Sequence, residues 1–215
     1  MRPQHARAPI RHPTFLLDWN LALRHVAPDL FVNVLTSGQI TPIASDLMDF
    51  GRKPPVPVQP GSHQESVWAY PRPPALLASQ LLVEVSLGGV LIAESTRTLR
   101  VLETSHPPTF YLPPSDVNTS LLLRTRHTSF CEWKGIATYW DVTTGHHTVR
   151  NGSWSYQTPS KSFAELGDYF SFYPSLFECF VDGDLVQPQP GDFYGGWVTK
   201  DVVGPFKGQP GSEWW

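Results

Sequence analysis

Cysteine is scarce in this chain. Two residues, Cys131 and Cys179, stand in 215, too few for a disulfide framework, and a reducing compartment is the simpler reading. Charge is scarce too. Asp, Glu, Lys and Arg make up 16% of the chain and the net charge is −3, so there is no basic face to neutralise phosphates and no nucleic-acid partner is expected. No apolar run approaches the roughly 20 residues that span a bilayer. The expectation is a soluble protein without a membrane partner, cytoplasmic in location. An N-terminus with Arg2, Arg7 and Arg11 and no acid before Asp18 has an organelle-import pattern, but Pro3, Pro9 and Pro13 break a transit helix. The triplets at Asn118 and Asn151 match the glycosylation sequon, yet no signal peptide is expected before them.

Proline and aromatic residues are abundant, and they divide the chain. Residues 1–64 read as an N-terminal extension. Within it, residues 14–26 suit one short helix, with Thr14 as N-cap, Phe15, Leu16, Trp19, Leu23 and Val26 as its apolar positions, and Pro28 as the stop. Residues 51–61, with Pro54, Pro55, Pro57 and Pro60, read as a stiff linker. From residue 65 the pattern turns to strands. Residues 82–87 and 90–93 flank Gly88-Gly89 as a hairpin. Further strands are expected over 97–102, 109–112, a long one over 129–142, its return over 153–156 after Gly145, then 169–173 and 177–181. One helical turn fits residues 162–166. The thirteen prolines after residue 65 argue against long helices and for a loop-rich β fold.

The peptides of this second part resemble one family in order and detail. They are Glu65-Ser66-Val67-Trp68-Ala69-Tyr70-Pro71-Arg72-Pro73-Pro74, Val101-Leu102-Glu103-Thr104-Ser105-His106-Pro107-Pro108 and Tyr111-Leu112-Pro113-Pro114-Ser115-Asp116-Val117. Cys131-Glu132-Trp133-Lys134-Gly135, Tyr139-Trp140 and Trp154-Ser155-Tyr156 follow. The last are Phe193-Tyr194-Gly195-Gly196-Trp197-Val198-Thr199 and Val203-Gly204-Pro205-Phe206-Lys207-Gly208. The family is the domain of unknown function 427, and the resemblance covers residues 65–215. It implies an all-β fold with little helix: a compact, complex sheet or open barrel of the Mss4-like, β-tent type. Zinc-bearing versions of that fold use paired C-x-x-C knuckles. None stands here, so neither a metal nor a cofactor is expected, and tryptophan packing takes the place of the metal. The family also carries a nucleotidyltransferase-like label. Asp182-Gly183-Asp184 has the Asp-x-Asp spacing of such chemistry, but Asp-Gly reads as a turn and no Gly-Ser helix start precedes it.

Several residues have chemistry to offer. Glu103 and His106, three apart before Pro107-Pro108, suit general acid–base work on a rigid loop; equally, they can hydrogen-bond that loop in place. Tyr111 and Asp116 follow closely and are expected to line the same cavity. Cys131 and Lys134 suggest a thiolate assisted by an ammonium, whereas strand alternation over 131–134 would put Glu132 and Lys134 on the face opposite Cys131 and Trp133. Arg72, held between prolines, offers a guanidinium to an anion or to an ordinary ion pair. Trp197 and the glycines before it can approach a ligand closely, although bulky tryptophans alone suffice to explain Gly195 and Gly196. Lys207 could face an anionic pocket or a carboxylate such as Glu103. His146-His147 reads as a turn without further metal ligands nearby. Three functions remain open at this point: a small-molecule binder or enzyme, an aromatic interaction module for a peptide or partner domain, and thiol redox chemistry at Cys131.

Overall fold

Gly88 and Gly89, with φ of 58° and 77°, reverse the chain between Val83–Leu87 and Val90–Ser95, which pair antiparallel with Val85 opposite Ala93. Positive φ costs glycine nothing, so this hairpin follows directly from the sequence. The computed structural model describes residues 55–191, 193–212 and 215. The helix expected over residues 14–26 and the start of the proline-rich stretch lie outside the described residues.

Ten strands of three or more residues carry the described architecture. They are β1 (Ala75–Ser79), β2 (Val83–Leu87), β3 (Val90–Ser95), β4 (Thr98–Leu102), β5 (Thr109–Tyr111), β6 (Leu122–Cys131), β7 (Gly135–Thr144), β8 (His147–Ser155), β9 (Phe170–Phe172) and β10 (Glu178–Val181). Three sheets result, with strand orders β1-β4-β5, β9-β8-β7-β6, and β10-β2-β3 extended by the two-residue strand Asp184–Leu185. All their pairings are antiparallel. None of the described sheets closes into a barrel, and the helical segments are short 3-10 turns, including Lys161–Leu166 where one turn was expected. The fold is all-β. No helix among the described residues is long and apolar enough to cross a membrane.

Two strand expectations change. The single strand expected over 129–142 is a hairpin, β6 and β7, turned through Glu132, Trp133 and Lys134. Gly135, at φ 96°, ends the turn. The return strand β8 likewise starts at His147, directly after the Gly145 turn, instead of at residue 153. Alternation across 131–134 therefore does not apply: the three residues project from a turn.

Alternation within the strands builds two apolar layers. Phe110 of β5 joins Val83, Val85, Ile92, Phe172, Cys179 and Trp197 in one buried cluster. Its neighbour Tyr111 points the other way and packs with Leu99, Val101, Trp154 and Tyr156 in a second. At the far end, Leu112 and Phe170 exchange backbone hydrogen bonds of 2.8 and 2.9 Å, which joins the β5 end to β9.

Candidate functional site

A cleft of about 320 Å³ opens where the β1-β4-β5 sheet faces the β9-β8-β7-β6 sheet. Its walls follow from register. On β7 and β8, Tyr139 stands opposite Trp154, and Ser129 of β6 lies opposite Ala137 of β7. Positions two apart share a face, so Ser129, Cys131, Tyr139, Trp154 and Tyr156 all line the cleft. From the other sheet come Val101, Thr109 and Tyr111, with Glu103 just beyond the end of β4. The segment around Gln189, Tyr194, Gly195 and Gly196 and the loop at Lys207 complete the lining.

Each polar group is held from several sides. The loop 103–106 turns with Ser105 at φ 69°. The Ser105 N–H donates to Val67 O at 3.1 Å, and its carbonyl accepts from Lys207 N–H at 2.8 Å. His106 Nδ1 lies 3.0 Å from the Thr104 carbonyl; a carbonyl only accepts, so Nδ1 carries the proton and Nε2 is left as the acceptor. Burial lowers the His106 pKa, and the nearby charges of Lys207 and Arg72 push the same way against the Thr104 carbonyl and Glu103. The imidazole is thus a neutral group of the cleft. Its ring meets Tyr194 edge-on at 5.1 Å.

Arg72 sits at the rim. Its guanidinium reaches Glu103 at 3.4 Å and Glu132 at 3.2 Å, and lies 5.9 Å from the centre of the Trp133 ring. Its charge is thereby shared between two carboxylates from separate segments. Glu103 is the more enclosed of the pair, with its side chain 17% exposed against 62% for Glu132.

Lys134 projects from the β6–β7 turn, which Ser160 anchors by donating its N–H to the Lys134 carbonyl at 3.1 Å. The Lys134 ammonium lies 5.7 Å from the centre of the Tyr156 ring and 5.9 Å from that of Phe163. Burial works against its charge, but Tyr111, the Cys131 thiol that hydrogen-bonds it and the Glu103 carboxylate outweigh burial and hold its pKa above the usual lysine value. Around it is a cluster of phenols. The Trp154 indole N–H donates to Tyr111 Oη at 3.2 Å, and Tyr139 Oη lies 2.9 Å from Ser129 Oγ. Burial, reinforced by neighbouring phenols, raises the pKa of both Tyr156 and Tyr173.

Arg72, Glu103, His106, Tyr111, Cys131, Lys134 and Lys207 therefore share one cleft. Two expected members do not. Asp116 is carried away by the turn Pro114–Asp116 and binds Ser95 Oγ at 2.6 Å and the Arg97 guanidinium. The turn that begins at Pro114 redirects the chain away from Tyr111. Trp197 is fully buried in the first apolar cluster and donates its indole N–H to Phe172 O at 3.1 Å; it is core. Lys207 Nζ bonds the main-chain oxygen of Trp215 instead of Glu103. Gly195 and Gly196 are explained by space: a Cβ on Gly195 would overlap the Trp154 ring, and one on Gly196 would meet Gln189 and Pro107. Asp182 and Gly183 have φ of 47° and 79°, the turn expected of them, and Asp182 Oδ1 accepts the Leu82 N–H at 2.7 Å.

Sequence reasoning missed Tyr139, Trp154, Tyr156 and Tyr173, the aromatic walls. The signal was there in part: Trp154 and Tyr156 are two apart on a strand and so share a face. Residues 75–183 match the profile of a family described as domain of unknown function 427. No curated protein matches the chain.

Proposed function

The chain belongs to the domain of unknown function 427 family, and from the chemistry of the cleft we propose that this domain binds a small organic molecule between its two sheets. One observation carries the reading. Ionisable side chains from four separate segments, around residues 72, 103–106, 131–134 and 207, line a single hollow walled by aromatic rings. Ligand sites are typically of this kind: apolar and aromatic walls with a few fixed polar groups. The volume suits a ligand of one ring with a short polar arm. A flat partner surface would have no need to fold Glu103 and His106 inward, where their desolvation costs free energy.

A thermal-shift screen of metabolites tests the reading, because a ligand that binds only the folded chain raises the melting temperature by mass action. The hits are expected to be lost in Ser129→Trp, which fills the cleft, and kept in Asp116→Asn, which lies outside it. Hits that bind Ser129→Trp unchanged would contradict the proposal.

A further inference from the structure

Building on that reading, we infer that the ligand is a flat-ringed monocarboxylic acid whose carboxylate pairs with the Lys134 ammonium inside the cleft. The charge inventory leads there. Arg72 is engaged by Glu103 and Glu132, and Lys207 by the Trp215 main-chain oxygen. Lys134, by contrast, has no carboxylate within ion-pair distance among the described residues; it touches the Cys131 thiol and two ring faces. A cation over aromatic rings gains about 0.5–2 kcal/mol, and that does not replace a counter-ion for a desolvated ammonium. An entering anion supplies it.

The geometry around Lys134, two ring faces and no paired carboxylate among the described residues, suits the role of counter-ion. Next to it, Tyr111 Oη already accepts the Trp154 N–H, so its own O–H is a donor suited to a carboxylate oxygen. A single ammonium matches a single negative charge. A phosphate dianion would bring its second charge towards Glu103 on the facing wall, with no second free cation among the described residues of the cleft to meet it. The rings of Trp154 and Tyr173, 4.5 Å apart, offer the flat body of the acid its contact surface.

The test uses four probes on the intact chain, titrated calorimetrically: phenylacetate, its neutral isostere phenylacetamide, phenethylamine and phenyl phosphate. Phenylacetate is expected to bind at least ~10-fold tighter than the other three. In Lys134→Met the acid should fall to the affinity of the amide, with the amide unchanged; Lys134→Arg should keep the preference for acid. The wild-type comparison needs no variant to fold. Amide, amine or phosphate binding as tightly as the acid overturns the inference, as does an acid preference that persists in Lys134→Met. Should none of the four bind while the metabolite screen still yields hits that Ser129→Trp abolishes, the acid class is wrong and the cleft reading stands. Absence of any hit sensitive to Ser129→Trp sinks both.

Discussion

Lys134 holds its ammonium 5.7 Å from the centre of the Tyr156 ring, itself one of the buried residues of the second apolar cluster. The two residues meet because the β6–β7 turn is short and because β8 runs back alongside β7, with Thr138 opposite Ser155 and Tyr139 opposite Trp154, and Tyr156, two past Trp154, lines the same cleft. The ring does two things at once: it fills the layer between the sheets, and it gives the ammonium a partially negative face.

These two contributions separate by substitution. Tyr156→Phe keeps the ring and removes the hydroxyl, and should cost about 1 kcal/mol in urea unfolding. Tyr156→Ala removes ring, packing and cation contact together and should cost on the order of 3 kcal/mol. Equal losses in the two variants would show that the ring contributes nothing beyond its hydroxyl.

His106 predicts a direction with pH. Its folded pKa is lowered from the ordinary 6.5, by burial first and then by Lys207 and Arg72. The unfolded chain therefore binds this proton more readily than the folded one, so the contribution is complete above about pH 6.5 and is lost as the pH falls below it. Melting temperatures of the wild type should drop on going from pH 7.5 to 5, and drop less in His106→Gln. A variant with the same or a steeper pH dependence would contradict the assignment.

The two thiols should differ sharply. Cys179 is wholly buried among Val83, Val85 and Phe177, and burial pushes its pKa up; Cys131 lines the cleft and is half-buried. Titration of the native protein with a thiol reagent should modify one cysteine, Cys131, with Cys179 reacting only after unfolding. Prompt reaction of both would place Cys179 outside the core.

Trp197 tests the core assignment. As a fully buried ring with its indole N–H bonded to Phe172 O, it should cost roughly 3–5 kcal/mol on Trp197→Ala. Arg72→Met, which breaks the ion pairs with Glu103 and Glu132 at an arginine side chain 46% exposed, should cost no more than about 1 kcal/mol. A reversed ranking, read from denaturant midpoints, would contradict both placements.

Legibility in the sequence tracked local chemistry. The Gly88-Gly89 and Asp182-Gly183 turns were readable because positive φ is written into those residues. The β6–β7 turn was not, since Glu132, Trp133 and Lys134 have no turn preference of their own and only Gly135 marks its end. The first half of β6, Leu122 to His127, passed unnoticed because this edge strand is largely exposed and its Arg124, Thr125, Arg126 and His127 break the alternation on which strand reading relies. For the site, Glu103, His106 and Lys207 were visible as unusual polar residues in glycine- and proline-rich peptides. Asp116 and Trp197 misled for the opposite reason: nearness in sequence and aromatic character say nothing of which face a residue takes after a Pro-Pro turn or inside a two-residue strand.

The most direct test of the shared cleft is an amide chemical-shift titration with a ligand from the screen. Backbone resonances of Glu103, His106, Lys134, Gly195 and Lys207 should move together and fit one dissociation constant, while Asp116 and Asn118 stay still. Shifts scattered over unconnected surfaces, or separate constants for the 103–106 and 131–134 segments, would contradict a common site.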